Sequence, residues 1–288
     1  MLRTFALALA AAVSIGAAPP NQSCEAFRVM SYNIRLDLAS DGVNRWSERR
    51  EQLIGQVRLM QPAILGLQEV VLGQKSDLEQ ALPGYAFLGV ARDDGKSAGE
   101  FSNLAVDRSV FDVKSSGTFW LSQTPDAPSR GWDAAHRRIA TWAHLVRKGD
   151  RRRFLALNTH LDNEGQQARL ESAKQIVGWL RTNRAPDEAV LVTGDMNTEA
   201  DTAPITELTS AALGLRDSRQ VSNTPPVGPT GTWNNFQALP KDSRRIDFVL
   251  VDPSLEVERY AVLAWQFDGD RVASDHFPVV ADVSACKK

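Results

Sequence analysis

The chain has 288 residues, of which 43% are hydrophobic and 24% charged, and carries a formal net charge of -2 at pH 7. That is the composition of a globular chain able to bury a sizeable core, so it excludes a disordered or fibrous one. The near-neutral balance gives no global attraction for nucleic acid, and beyond the N-terminal segment no apolar run reaches membrane-spanning length.

Residues 1–18 stand apart. Arg3 supplies a positive head, 5–15 is an almost unbroken apolar run, and Gly16-Ala17-Ala18 offers small residues for cleavage. The pattern predicts a secretory signal peptide over 1–18, its apolar run being too short for a membrane span. The mature protein is then expected in the periplasm or outside the cell, with no stable membrane anchor, since no lipoprotein-type box precedes Cys24. Cys24 and Cys286 are the only cysteines. In an oxidising compartment they are expected to form a disulfide that ties together the ends of one domain over 24–286.

In chain order, a strand is expected over 27–35, then a helix that Ser47 caps, with Leu53, Val57 and Met60 on one face and Pro62 as its stop. The short apolar run 64–67 reads as a buried strand that delivers Gln68-Glu69 at its end. Strands are expected over 85–90, 102–107 and 118–121, with the dense loop Arg92-Asp93-Asp94-Gly95 between the first two. Strands 141–147 and 154–159 flank a basic turn around Gly149-Asp150, and the second runs into Asn158-Thr159-His160-Leu161-Asp162. A helix follows with Leu170, Ala173, Val177 and Leu180 on one face. The strand 189–192 ends in Gly194-Asp195-Met196-Asn197, and a short helix over 202–209 leads to a Pro- and Gly-rich stretch, 224–231, read as a loop over a site. Strands 246–251 and 279–283 close the chain. Strand, helix and strand in succession indicate an α/β architecture, and no linker or repeat divides it.

Chemistry-bearing residues gather where these strands run out: Asn33, Glu69, His160, Asp195, Asn197, Asp247 and the neighbours Asp275-His276. Each alone has an ordinary structural reading, as a turn, a cap or a satisfied core histidine. Their repetition at strand after strand is what points to one site.

The motifs Met30-Ser31-Tyr32-Asn33-Ile34-Arg35, Leu67-Gln68-Glu69, Asn158-Thr159-His160-Leu161-Asp162, Gly194-Asp195-Met196-Asn197, Arg245-Ile246-Asp247-Phe248 and Ser274-Asp275-His276-Phe277-Pro278, in this order, resemble the endonuclease/exonuclease/phosphatase superfamily. The resemblance implies a four-layer α/β/β/α sandwich of two mixed β-sheets, deoxyribonuclease-like, and divalent-metal-assisted hydrolysis of a phosphate ester. It implies that Asn33, Glu69 and Asp275 face the metal, magnesium or manganese, for which hard oxygen ligands are suited. By the same resemblance Asp195 activates the attacking water, Asn197 holds it, and His276, oriented by Asp247, donates to the developing phosphorane. His160 serves the leaving group or a phosphate oxygen, supported by Glu100, and Arg138 resembles a phosphate-contacting arginine, though a surface charge would be an equally ordinary reading. Where related secreted sequences carry a second histidine this chain has Asn163, and near the site it presents Trp233 and Asn234, positions expected to face substrate.

The expected function is an exported phosphoesterase acting on a phosphodiester or phosphomonoester, with no obligate protein partner. The alternatives are a secreted nuclease acting on extracellular DNA or RNA and, of another class, a non-catalytic binding protein on the same fold. A nuclease would need a basic groove, which the acidic total does not favour.

Overall fold

The computed structural model describes residues 25–210 and 212–285. The expected signal peptide, Cys24 and Cys286 therefore lie outside the described residues. The chain runs through β1 (Phe27–Asn33), α1 (Trp46–Met60), β2 (Ile64–Gln68), α2 (Leu72–Ala81), β3 (Tyr85–Leu88), β4 (Leu104–Asp107), β5 (Phe111–Trp120), β6 (Ile139–Arg147) and β7 (Arg153–His160). It continues with α3 (Gln166–Asn183), β8 (Glu188–Asp195), α4 (Ala203–Leu208), β9 (Arg216–Asp217), β10 (Asp247–Val251), β11 (Glu256–Val262), β12 (Gln266–Phe267), β13 (Arg271–Val272) and β14 (Val279–Ser284).

Two six-stranded sheets form, ordered β11-β14-β1-β2-β4-β3 and β5-β6-β7-β8-β10-β9. Each is mixed, with one parallel pair, β1 with β2 and β7 with β8. Three apolar cores correspond to the three interfaces of four layers. Leu53, Ile54, Val57 and Leu78 from α1 and α2 pack on Met30, Tyr32, Leu65 and Leu67 of the first sheet. Ala173, Ile176, Val177 and Leu180 of α3 pack on Leu155, Leu157, Val190 and Val192 of the second. The inner faces meet through Val29, Ile64, Phe154, Ala156, Leu191, Val249 and Val283. At the far end Phe27, Phe111 and Phe154 close this core edge to face, with ring centroids 5.2 to 5.5 Å apart.

Strand alternation sets where the site lies. Because side chains point to opposite faces in turn, the inner-facing set of β1 runs Phe27, Val29, Ser31, Asn33, and that of β7 runs Phe154, Ala156, Asn158, His160. On β8 the same phase gives Ala189, Leu191, Thr193 and Asp195, and on β2 it gives Ile64, Gly66 and Gln68. The space between the sheets is thus apolar at one end and polar at the other. Asn158 forms the bridge. Its Oδ1 accepts from Gln68 Nε2 at 2.7 Å and Thr193 Oγ1 at 3.0 Å, while its Nδ2 donates to the carbonyls of Leu67 and Asn103 at 2.9 and 3.0 Å. The sheets come so close here that a Cβ at position 66 would lie 2.0 Å from Thr193 Oγ1, which explains Gly66.

Several local expectations change. Ser47 lies inside the first turn of α1 rather than at its cap; Arg45 is the cap residue, and Asp37 Oδ1 accepts the Trp46 N–H from the preceding loop at 3.3 Å. The helix ends on left-handed Gln61, before Pro62. Helix α2 has only Gln74 and Leu78 buried, so its apolar period is too sparse to read. Strand β5 begins at Phe111, well ahead of 118, its polar and exposed middle, Lys114 to Ser116, hiding the continuity, and β11 is obscured by a register shift between Val257 and Arg259. The stretch 224–231 does not cover the site; Val227 bridges to Ala261 and the segment borders β11.

Replacing Asn158 by Leu deletes four buried hydrogen bonds, among them the shortest ones made by Gln68 Nε2 and Thr193 Oγ1, at an expected cost on the order of 3 kcal/mol. Urea unfolding measures it, and a loss under about 1 kcal/mol would contradict the bridging role.

Candidate active site

Sheet register builds the floor of the site. Asp195 ends β8, with His160 of β7 beside it on one side and Asp247 of β10 on the other. His276 comes from the loop before β14. Its Nδ1 lies 2.8 Å from Asp247 Oδ2, and its Nε2 lies 3.7 Å from Asp195 Oδ2. That loop is held by its backbone and by neighbours: Ser274 Oγ donates to the Asn33 carbonyl at 2.7 Å, and the N–H groups of Asn234 and Asn235 donate to the Asp275 carbonyl at 2.8 and 3.1 Å.

Burial divides the work of these groups. Burial and then the charge of Asp247 push the Asp195 carboxyl up to about 7. For His276 burial disfavours the charge, but Asp247 and Asp195 outweigh it and hold the ring well above its ordinary value. His160 moves the other way, lowered by burial and by the charges of Arg138 and Arg92. One histidine is an imidazolium and the other is neutral, in the same small space.

Asn197 joins His160 to Asp195. Its N–H donates to Asp195 Oδ1 at 2.9 Å, and its Nδ2 reaches the Leu161 carbonyl at 2.9 Å and His160 Nε2 at 3.0 Å. The expected partnership of Glu100 with His160 is loose: His160 Nδ1 is 3.9 Å from Glu100 Oε2, beyond a hydrogen bond. Glu100 is instead the carboxylate of Arg92, at 2.6 and 2.9 Å. A two-nitrogen guanidinium fork outcompetes a neutral ring for it.

Asn33, Glu69 and Asp275 form the opposite wall. Asn33 Nδ2 donates to Glu69 Oε1 at 3.0 Å and to Asp195 Oδ2 at 2.9 Å, so one buried amide connects both walls. Glu69 Oε2 accepts the Leu36 N–H at 3.2 Å. The nearest cation to Asp275 is Arg35, at 3.8 Å. Burial raises the Asp275 carboxyl, with His276 opposing and Glu69 adding to the rise. Two carboxylates without a close counter-charge fit a hard divalent ion. Asp195, Asp247 and His276 also offer ligand atoms within 4.8 Å of one another and could bind an ion. A ring that is charged and bonded through Nδ1 to Asp247 is a poor ligand, however, so the carboxylate wall suits a metal better.

These walls enclose a cleft of about 310 Å³, whose rim carries Arg35, Arg92, Arg138, Arg244, His136 and Trp233. Arg138 is buried, not a surface charge. Its Nε and Nη2 bind Asp162 and Asn163 at 3.2 and 2.8 Å, and its buried Nη1 has no partner. Asp162 anchors this region, accepting backbone N–H groups from Ala135, His136, Glu164 and Gly165. Of the positions expected to face substrate, Asn163 and Trp233 line the cleft, whereas Asn234 is buried and donates to the Ser274 carbonyl at 3.2 Å. Arg92, His136 and Arg244 were not legible as site residues, since nothing in their local sequence separates them from solvated charges. A larger cavity of about 940 Å³ lies at the far end, but its Asp150 and Asp282 are tied up with Arg147, Arg28 and Arg259, and no histidine faces it.

The model described as Endonuclease/Exonuclease/phosphatase family matches residues 30–276. The crystal structure of an endonuclease/exonuclease/phosphatase family protein from Bacteroides thetaiotaomicron is similar with 35% identity and a TM-score of 0.86, covering 91% of this chain and 99% of that one. A mannosyl-6-phosphatase from the same species has 36% identity and a TM-score of 0.84, covering 89% and 99%. An uncharacterised protein of Acanthamoeba polyphaga mimivirus is 24% identical over 250 residues, 83% of this chain and 92% of that protein.

The raised carboxyl of Asp195 sets a sign for stability. Between the ordinary 3.8 and about 7 the folded state keeps a proton that the unfolded chain has released, so this contribution is present at low pH and is lost as pH rises through about 7. His276 acts with the same sign at higher pH, being raised above 6.5. His160, lowered, acts with the opposite sign up to its ordinary 6.5, so the thermal midpoint of the metal-free protein should fall most clearly from about pH 6.5 to about pH 8. Asp195→Asn should flatten that fall and raise the midpoint at the upper end by roughly 5 °C. A midpoint for Asp195→Asn that tracks the wild type at every pH would contradict the buried charge.

Proposed function

The chain belongs to the endonuclease/exonuclease/phosphatase family, and we propose that it is an exported, divalent-metal-dependent phosphomonoesterase acting on a small phosphorylated sugar. The observation that carries the reaction is the split at the floor of the cleft: a buried carboxyl held near 7, 3.7 Å from an imidazolium. A carboxylate at that value can accept a proton from water near neutrality, and an imidazolium can stabilise charge growing on a phosphoryl oxygen.

Asp195 takes the proton as the water oxygen bonds to phosphorus, and the bond from phosphorus to the alcohol oxygen breaks on the opposite side. Asn197, fixed by Asp195, Leu161 and His160, orients that water with its remaining amide oxygen. His276 donates from Nε2, with its ring direction and charge set by Asp247. Arg138 offers its unpartnered Nη1 to a second phosphoryl oxygen. An ion held by Glu69, Asp275 and Asn33 would neutralise phosphoryl charge and stabilise the departing alkoxide.

Three features favour a small monoester over a polymer. The cleft is only about 310 Å³, four arginines line it, and half-buried Trp233, with the Arg244 guanidinium 5.2 Å from its ring centroid, gives it one aromatic wall of the kind a sugar ring packs on. Similarity to a mannosyl-6-phosphatase at 36% identity supports the same class. Export rests on the signal pattern over 1–18, and N-terminal sequencing of the mature protein should begin just beyond it.

With magnesium or manganese, p-nitrophenyl phosphate and a hexose phosphate should be hydrolysed, bis(p-nitrophenyl) phosphate at least about tenfold more slowly, and chelation should abolish turnover. Glu69→Gln and His276→Ala should each lower kcat by roughly 10²- to 10³-fold with little change in far-UV circular dichroism. Failure of the wild type to cleave any of these esters with any divalent cation would sink the proposal, and a preference for the diester would return the choice to a nuclease.

A further inference from the structure

Next to the reaction cleft lies a second cavity of about 310 Å³, lined by Arg92, Asp93, Arg130, Ala135, His136 and Arg137. It shares Arg92 and His136 with the cleft, so the two lobes adjoin. The loop Arg92-Asp93-Asp94-Gly95, which the reaction leaves unused, forms one side of it.

This lobe is a built feature. Asp94 Oδ1 accepts the N–H groups of Lys96, Ser97 and Ala98 at 2.8, 2.9 and 2.9 Å, closing the loop on itself. Trp120 Nε1 donates to the Arg92 carbonyl at 2.7 Å, and a Cβ at Gly99 would lie 2.4 Å from Asp93 Oδ2. On the other side, Asp162 holds the backbone of Ala135 and His136.

Its charge is unbalanced. Glu100 neutralises Arg92, whose buried Nε nonetheless lacks a partner. That leaves Arg130 and Arg137 facing a single carboxylate, Asp93. Arg137 touches Asp93 at 3.4 Å, with both side chains more than two-fifths exposed, an arrangement worth little to either. Arg130 makes no hydrogen bond or ion pair among the described residues. The reacting phosphoryl group has its own partners on the cleft floor, so these cations are surplus to it.

We propose that this lobe is an anion subsite for a second acid group on the substrate. Resting on the phosphomonoesterase reading above, it narrows the substrate class to phosphate esters whose alcohol portion itself carries a phosphate or carboxylate. The ester phosphate reacts over Asp195 and His276, and the second acid group reaches past Arg92 and His136 to Arg130 and Arg137.

The test compares a hexose phosphate, a hexose bisphosphate and a phosphogluconate, with p-nitrophenyl phosphate as the minimal ester, on the wild type and on the Arg130→Gln/Arg137→Gln double variant. In the wild type the added acid group should raise kcat/KM about tenfold or more, mainly through KM. A gain with both acid probes assigns a general anion site, and a gain with the bisphosphate alone assigns a phosphate site. The double variant should lose the advantage while p-nitrophenyl phosphate turnover stays unchanged. Equal kcat/KM for the three sugar probes in the wild type, or an advantage that survives in the double variant, overturns the subsite. If no ester is turned over, the reaction reading is what fails. Calorimetric titration with the hexose bisphosphate then decides the subsite: binding lost in the double variant upholds it, and absent or equal binding overturns it.

Discussion

The site depends on a change of material between the two sheets. Along most of the sandwich the inner faces meet in hydrocarbon, which fixes their distance but not their register to a fraction of an ångström. At the site end the contact passes to Asn158, Gln68, Thr193 and Asn33, groups that must be hydrogen-bonded because they are buried. Directional bonds between sheets lock one sheet's Glu69 and Asp275 against the other's Asp195 and Asp247. Asn33 does this at the reacting end itself, with one amide nitrogen shared between Glu69 and Asp195.

That frame lets carboxylates be concentrated where they repel one another. Asp195, Asp247, Asp275 and Glu69 converge with only one imidazolium in contact, and the nearest guanidinium of Arg35 stands 3.8 Å away. The fold tolerates this because Arg49, itself buried, holds the backbone on both sides, donating to the carbonyls of Ile34 and Arg35 after β1 and of Ala273 before the Ser274 loop. This buried cation is thus spent on carbonyls rather than on the carboxylates of the site. A positive charge placed directly against Glu69 or Asp275 would satisfy them and remove the reason for an ion to bind.

Much of this was readable in the chain, for a specific physical reason. Asn33, Asp195 and His160 sit in phase with Val29, Leu191 and Ala156 on buried strands, so any correct strand assignment carries its terminal polar residue to the inner face. The Asp247–His276 pair followed from the family resemblance and its geometry is tight. What escaped depends on contacts between loops. Glu100 resembles a histidine partner in sequence but meets Arg92 first, and Asn234 is tied to the backbone of the 274–275 loop, its side chain donating to the Ser274 carbonyl and its N–H to the Asp275 carbonyl. Arg92, His136 and Arg244 reach the cleft from segments whose local patterns are those of ordinary surface. No period marks such residues, since their role is set by where three loops end up together.

The backbone records the same tension. Arg35, Glu69 and Asn197 all have positive φ, at 55°, 61° and 48°, although none is glycine. Each such residue costs of order 1 kcal/mol or more and persists only where its surroundings over-determine it. Here the surroundings are visible: Arg35 is held through its carbonyl by Arg49, Glu69 through Asn33 and Leu36, and Asn197 through Asp195, Leu161 and His160. Each lies one or two residues past a strand end: Arg35 after β1, Glu69 after β2 and Asn197 after β8. A glycine would relieve the strain and delete the functional group. At Glu69 and Asn197 the strain is the consequence of needing a carboxylate or amide at a place where the chain must also turn.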